Sequence, residues 1–356
     1  MTIRQLHVAG YRSIRDLRLR LDRVNLIVGP NGSGKSNLYR ALGLVSSAAS
    51  GALARALAEE GGMPSVLWAG ARAKGPVRMT LAVEIDEFGY ELECGLMPPV
   101  PGGSAFDLDP HVKSELVTFR QGRKSAVLLE RSNATAHARD AEGARMTFPL
   151  VFSESESVLA ELREPHRFPV ISTIRDEIRA WRFYHQFRVD AASPLRQPQT
   201  GVRTPILSES ALDLAAALRT IQEVGDRPGL EEAIDRAFPG GRLEVEAGRF
   251  VLRLAMPEFR RAFDARELSD GSMQYLCLVA ALLSPRPPSL LALNEPESSI
   301  HPDLLEPLAN LIAKAARSSQ LWITTHSTPL ADHLRRLTGA EPIELRKVAG
   351  ETRIRS

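Results

Sequence analysis

The sequence predicts an α/β fold, and three observations predict it. The apolar run Val24–Val28 leads into Gly29-Pro-Asn-Gly-Ser-Gly-Lys-Ser-Asn37 and then into helical spacing from Leu38 to Val45. Two more apolar runs, Leu290–Leu293 and Leu321–Thr325, end in polar residues, Asn294-Glu295-Pro296-Glu297 and His326-Ser327. Ile3–Val8 and Leu17–Leu21 alternate apolar and polar residues, as half-buried strands do, and with Val24–Val28 they suggest a small sheet feeding the glycine loop.

That loop fits G-x-x-x-x-G-K-[ST], with Gly29, Gly34, Lys35 and Ser36 at the fixed positions and Asn31, Gly32, Ser33 and Asn37 completing it. Glycines let backbone N–H groups close around phosphate oxygens, and a helix N-terminus adds positive dipole. Lys35 reaches the β- and γ-phosphates, and the Ser36 hydroxyl suits Mg²⁺. A glycine-rich turn that binds nothing is the alternative; the strand–loop–helix context weighs against it.

Further along, Ala48–Glu60 is Ala-rich and reads as helix, broken at Gly61-Gly62-Met63-Pro64. Val77–Ile85 and Tyr90–Leu96 read as strands with a turn near Phe88-Gly89, and Pro98–Pro110 as a loop. Leu116–Arg120 and Ala126–Glu130 are shorter strands around Gln121-Gly122. From Ser153 the spacing becomes helical, in Glu156–Leu162 and Val170–Arg179; Trp181–Phe187 suits a strand or a helix end. Ala191–Pro205 is a Pro/Gln-rich loop, Leu212–Glu223 and Leu230–Phe238 are helices, and Leu243–Ala247 with Phe250–Ala255 form a hairpin. The last third alternates: helix Ser272–Leu283, strand Leu290–Leu293, helix Leu304–Ala316, strand Leu321–Thr325, helix Leu330–Leu337, then short strands at Ile343–Arg346 and Thr352–Arg355. The pattern thus runs from mainly β after the first helix (49–152) to mainly helical, ending in the hairpin (153–256), and then to alternating α/β (257–356).

Composition narrows the function classes. The net charge of +2 is too small for a chain that binds nucleic acid by overall charge. Cys94 and Cys277 are far apart, lie in apolar stretches and lack ligand spacing, which implies buried packing and a reducing, cytoplasmic setting. No apolar run reaches membrane-spanning length, so no membrane partner is expected.

The polar ends of the buried runs carry the remaining chemistry. A buried strand delivers its terminal side chains to the sheet edge where ligands bind. Asn294 stands where many ATPases place an Mg²⁺-supporting Asp; an amide still accepts a hydrogen bond but brings no charge. Glu295 is placed to orient or deprotonate an attacking water, and His326 to hydrogen-bond a γ-phosphate. Ser269, in Leu268-Ser-Asp-Gly-Ser-Met-Gln274, suits a helix N-cap, and Gly271 permits close backbone approach.

The order GPNGSGKSN, LSDGS, LNEPE and THS resembles the ABC-type ATPase heads of the P-loop NTPases. Within them it looks like the RecF/SMC-related stand-alone AAA-family ATPases of bacteria. Gly10-Tyr-Arg-Ser-Ile-Arg-Asp16, Glu297-Ser-Ser-Ile-His301-Pro302, and Phe183 to Arg188 through Arg203-Thr-Pro support that branch. The resemblance implies an ABC-type head, a mixed sheet plus an N-terminal antiparallel β part, with a discontinuous core of 1–48 and 257–356, a mainly β segment of 49–152 completing it and a mainly helical insert of 153–256, using ATP and Mg²⁺, with Ser36 and Asn294 at the metal. It implies Glu295 as base and His326 as switch, both catalytic, with Arg12 and Ser13 near the nucleotide. Ser269 and Gly271 would contact the γ-phosphate of ATP held by a second chain, giving an ATP-dependent homodimer that acts as a switch on DNA or on a separately encoded effector protein, in DNA repair, maintenance or defence. Asn294 for Asp implies slow turnover, and Asp270 replaces a glycine of the transporter-type signature, so it must point away from phosphate. Arginines at 4, 12, 15, 18, 20 and 23, and at 163–188 beside Trp181, Phe183 and Tyr184, suit nucleic acid and equally a solvated face. Two alternatives to the hydrolysing switch stay open, a regulatory module that binds ATP with little hydrolysis and, against the grain of the Glu–His pair, a P-loop kinase.

Overall fold

The computed structural model describes residues 1–71, 77–99, 101–122, 124–133, 135–149, 153–246 and 248–355. In chain order the strands are β1 (Ile3–Tyr11), β2 (Ile14–Arg20), β3 (Val24–Val28), β4 (Arg78–Ile85), β5 (Phe88–Leu96), β6 (Pro110–Gln121), β7 (Lys124–Ser132), β8 (Thr135–Arg139), β9 (Arg145–Pro149), β10 (Arg182–Tyr184), β11 (Arg242–Glu246), β12 (Val251–Ala255), β13 (Phe263–Asp264), β14 (Leu290–Asn294), β15 (Gln320–Thr325), β16 (Ile343–Val348) and β17 (Glu351–Ile354). The helices are α1 (Lys35–Ser50), α2 (Leu53–Glu59), α3 (Met63–Val66), α4 (Val158–Glu161), α5 (Pro169–Arg179), α6 (Leu214–Val224), α7 (Arg227–Ala237), α8 (Asp270–Leu282), α9 (Leu305–Ala315) and α10 (Thr328–Thr338). The chain forms two compact units, one of Met1–Asp22, Gly29–Trp181 and Ile343–Ser356, the other of Arg23–Val28 and Arg182–Pro342.

The first unit is built on an antiparallel sheet in the order β2-β1-β4-β5-β6-β7-β8-β9. Period-two alternation makes it: Met79, Leu81, Val83 and Ile85 of β4 all point inward, each burying about 1.5–3 kcal/mol of apolar side chain. In β1 the parity slips, because a bulge between Ile3 and Gln5 lets both Ile3 and Leu6 face the core. The β4–β5 turn falls at Asp86-Glu87, two residues before the expected Phe88-Gly89, with Asp86 in the left-handed region. Helix α1 packs Leu38, Ala41, Leu42 and Val45 toward β1, β4 and α5. The Ala-rich stretch 48–60 is two helices rather than one. Gly51 takes a left-handed φ of 72°, and the Ala52 N–H closes the end of α1 on the Ser47 carbonyl. β16 and β17 form a hairpin whose turn residues, Ala349 and Gly350, both have positive φ.

The second unit holds a parallel sheet, β10-β14-β15-β3. Leu290–Leu293 and all of β15 are buried, as expected for strands covered on both faces. Helix α8 is buried along Met273–Leu282, an all-round apolar helix at the centre of the unit's core. A smaller antiparallel sheet, β11-β12-β13, includes the expected hairpin; Ala247, at the end of its first expected strand, lies outside the described residues. The expected grouping of the two N-terminal strands with Val24–Val28 does not hold. β1 and β2 belong to the antiparallel sheet, while β3, an apolar run without alternation, pairs in parallel with β15. Among the described residues no helix is long and apolar enough to cross a membrane.

Candidate functional site

In the first unit the phosphate loop follows β3 and runs into α1. Gly34 is the α1 N-cap at φ 109°, and a Cβ there would stand 2.1 Å from the Thr352 hydroxyl oxygen, so both conformation and space require glycine. The helix start has no side-chain cap. Lys35, only 4% exposed, donates from Nζ to the carbonyls of Gly29 (2.7 Å) and Pro30 (3.3 Å). The Ser33 hydroxyl is buried without a hydrogen-bond partner among the described residues, an unmet polar group in a loop of amide donors. A hydrogen-bonded chain braces the loop from behind. Asn37 Nδ2 donates to Ser13 Oγ (2.8 Å), the Ser13 and Thr352 hydroxyls are 2.7 Å apart, and Thr352 Oγ1 donates to the Ser33 carbonyl (2.9 Å). Arg12, at φ 50°, gives Nε and Nη2 to Glu60 Oε2 at 3.0 and 2.7 Å. Tyr11 donates to the same oxygen at 2.6 Å; burial, then the Glu60 charge, pushes its pKa far above the usual value, so it stays a neutral donor.

In the second unit the parallel register brings the strand ends to one edge. Asn294 pairs with Thr324, and Thr325 with Val28, the residue before Gly29. Asn294 Oδ1 accepts the Thr324 hydroxyl at 2.7 Å. Glu295 adopts φ 47°, a conformation costing an L-residue of order 1–2 kcal/mol, and its N–H is held by the Thr324 carbonyl at 2.8 Å. His326 Nδ1 faces two acids, 3.6 Å from Glu295 Oε1 and 3.4 Å from Glu297 Oε1. Each distance is ion-pair range and longer than an ordinary hydrogen bond. The imidazole is half exposed and Glu297 is buried.

The same unit carries the segment that opens α8. Ser269 is its N-cap, accepting the Ser272 N–H at 3.1 Å. A Cβ on Gly271 would meet the Ser299 carbonyl at 2.5 Å, so glycine lets the helix start approach the turn after Glu297. Asp270 is held by Arg196 Nη2 at 2.6 Å. Arg196 is buried, and its Nη1 also donates to the Ala265 (2.8 Å) and Leu268 (2.6 Å) carbonyls. The acid is therefore charge-paired rather than free to repel an anion.

Residues 24–332 match the family described as "AAA domain, putative AbiEii toxin, Type IV TA system", which spans most of the chain. The chain belongs to this family. Among solved structures, this AAA-domain protein is similar in fold to the SmcHead bound to the C-winged helix domain of ScpA (16% identity, 99% of this chain and 97% of that chain, TM-score 0.56). It is also similar to the Smc head domain with an extended coiled coil bound to the C-terminal domain of ScpA from Pyrococcus furiosus (12% identity, 99% and 95% coverage, TM-score 0.54). The fold is thus that of a P-loop ATPase head of the ABC/SMC type. No curated protein matches the chain.

Within this AAA-domain ATPase head, the second unit brings Asn294, Glu295 and His326 together, and separately seats Ser269 and Gly271 at the α8 start. The first unit brings Ser13 to Asn37 but turns Arg12 onto Glu60. The aromatic–arginine stretch changes character: Trp181 is 1% and Tyr184 3% exposed, and Arg175 is buried, so these side chains fill cores and present no stacking platform. Sequence reasoning missed Glu60, Arg196, Glu297 and Thr352. Glu297 alone carried a signal, its place in a buried strand's polar tail. No group of three or more His, Cys, Asp or Glu suited to a metal occurs among the described residues.

Proposed function

We propose that the chain is an ATP-hydrolysing head that dimerises around ATP and acts as a switch on a separately encoded partner protein. The observation that carries this reading is the Glu295–His326 pair at the carboxyl edge of β14 and β15, beside the strand whose next residue opens the phosphate loop. In this reading Lys35 and the loop amides of Gly29–Ser36 hold the triphosphate, and the unmet Ser33 hydroxyl finds a phosphate acceptor. Glu295 takes the proton of the attacking water, and His326 hydrogen-bonds the γ-phosphate. Ser269 and Gly271 complete the site of a second chain, so each ATP supplies charge that joins two heads and hydrolysis removes it. Arg12 and Ser13 stand near the nucleotide, Arg12 after release from Glu60. All these residues fall in 1–48 and 257–356, the proposed nucleotide-handling core, with 49–152 completing the head and 153–256 as insert.

Mg²⁺ at a nucleotide site keeps several waters and is held largely by the substrate phosphates, with the hydroxyl of the phosphate-loop Ser/Thr as a usual protein ligand. Ser36 and Asn294 are the residues that would hold it, and when bound it neutralises and orients the phosphates. A partner protein is favoured by the fold, since both similar SMC heads are bound to ScpA segments, and by the burial of Trp181 and Tyr184, which takes two of the three aromatics of that stretch out of reach of a base and leaves Phe183 partly exposed. Phosphate release by the purified chain, with and without duplex DNA, tests both points: turnover without response to DNA is expected.

A second reading, a regulatory module that binds ATP and hardly hydrolyses it, is favoured by Asn294. Its oxygen already accepts the Thr324 hydroxyl, and it carries no charge. Asn294→Asp separates the two. The hydrolysing reading expects kcat to rise about tenfold, the worth of roughly 1.4 kcal/mol of added transition-state stabilisation. Undetectable release from both wild type and variant would favour the binding module.

A further inference from the structure

Glu297 has no role in the mechanism above, yet it is only 8% exposed, and a buried carboxylate is costly unless it is hydrogen-bonded. One oxygen carries all of its hydrogen bonds. Oε1 accepts the Thr325 hydroxyl (2.6 Å) and the His326 N–H (3.1 Å), and it shares the Ser327 N–H (3.2 Å) with the Thr325 hydroxyl oxygen (2.9 Å), three consecutive residues at the end of β15. Oε2 has no partner among the described residues. The same Oε1 lies 3.4 Å from His326 Nδ1. Ser327 then caps α10, its Oγ accepting the Leu330 N–H at 3.3 Å. One carboxylate oxygen thus sets the backbone course through His326 and faces the inner nitrogen of its ring.

We propose that Glu297 is a positioning residue that clamps His326 beside Glu295. The clamp has two jaws. Glu295 is fixed by its left-handed backbone and by its N–H on the Thr324 carbonyl, and His326 is fixed by Glu297. Glu295 and Glu297 are the acids facing the imidazole, and both lie on its Nδ1 side. This arrangement turns Nε2 away from the acids, as the nitrogen that meets the γ-phosphate. The inference rests on the reading of His326 as the residue that acts at that phosphate.

The test is the steady-state ATPase of wild type, Glu297→Ala, Glu297→Gln, His326→Ala and the Glu297→Ala/His326→Ala double variant, with amide hydrogen exchange of the peptide spanning residues 325–327. Misplacing a reacting group by about 1 Å costs up to about 100-fold, so Glu297→Ala is expected to lower kcat by about 10- to 100-fold with KM for ATP unchanged. Glutamine keeps an acceptor oxygen, so Glu297→Gln is expected within about threefold of wild type, a loss on the scale of one weakened hydrogen bond. Acting through His326, Glu297→Ala should cost nothing further when His326 is already alanine. Wild-type kcat in Glu297→Ala, an impairment in Glu297→Gln equal to that of alanine, or full additivity in the double variant would overturn the proposal. If wild type itself releases no phosphate, the proposed function fails and the exchange data decide the clamp. Faster exchange at His326 in Glu297→Ala, restored in Glu297→Gln, supports it; unchanged exchange there overturns it.

Discussion

Glu295→Gln is expected to lower kcat by about 100- to 10,000-fold, the usual contribution of a general base, while ATP still binds. The substitution changes one oxygen to an amide nitrogen, so the β14 turn and its hydrogen bond to the Thr324 carbonyl, made by the residue 295 backbone, remain. What disappears is the negative charge and basicity of the carboxylate 3.6 Å from His326. The glutamate is half-buried and sits in a left-handed conformation that its residue type does not favour, and strain of this kind concentrates where a side chain must be aimed. Phosphate release and ATP binding measured on the same preparation separate chemistry from affinity. A variant that hydrolyses at the wild-type rate moves the base elsewhere.

Lys35→Ala is expected to weaken ATP binding by roughly 30- to 1,000-fold, equivalent to about 2–4 kcal/mol of charge-assisted hydrogen bonding to phosphate oxygens. The Lys35 ammonium is nearly buried, and its donors rest on the Gly29 and Pro30 carbonyls within its own loop. It is therefore held where phosphate would meet it and loses little entropy on binding. The loop itself should survive the substitution, because its shape is braced by the Asn37–Ser13–Thr352–Ser33 chain, which does not involve Lys35. Calorimetric titration with ATP–Mg²⁺ reads the loss, and an unchanged affinity contradicts the assignment of the loop.

The parts legible in the sequence are those whose cause is local. The apolar run before Gly29, the helical spacing after Lys35 and the alternation of Met79, Leu81, Val83 and Ile85 each fix an element without reference to distant residues. The placing of Glu295 and His326 at one sheet edge was legible because a buried strand advertises its polar tail. Sheet membership was not. β1 takes β4 as its second neighbour, Val8 opposite Leu81, and no pattern within residues 3–11 states that choice. Short β8 and β9 carry too few alternations to stand out. The missed site residues share one property, which is that their partners are remote. Thr352 meets Ser13 across 339 positions, Arg196 meets Asp270 across 74, and Glu60 meets Arg12 across 48. Asp270 illustrates the difference. The sequence required it to point away from phosphate, and only the fold reveals that a buried arginine from a Pro-rich loop holds it.

The claim that two heads close on ATP is tested most directly by the mass in solution of Glu295→Gln, measured by light scattering with ATP–Mg²⁺ and again without nucleotide. Because this variant is expected to bind ATP and not consume it, the account predicts that the mass doubles when ATP–Mg²⁺ is present and returns on nucleotide removal. The same mass under both conditions, with ATP shown to be bound, would contradict it.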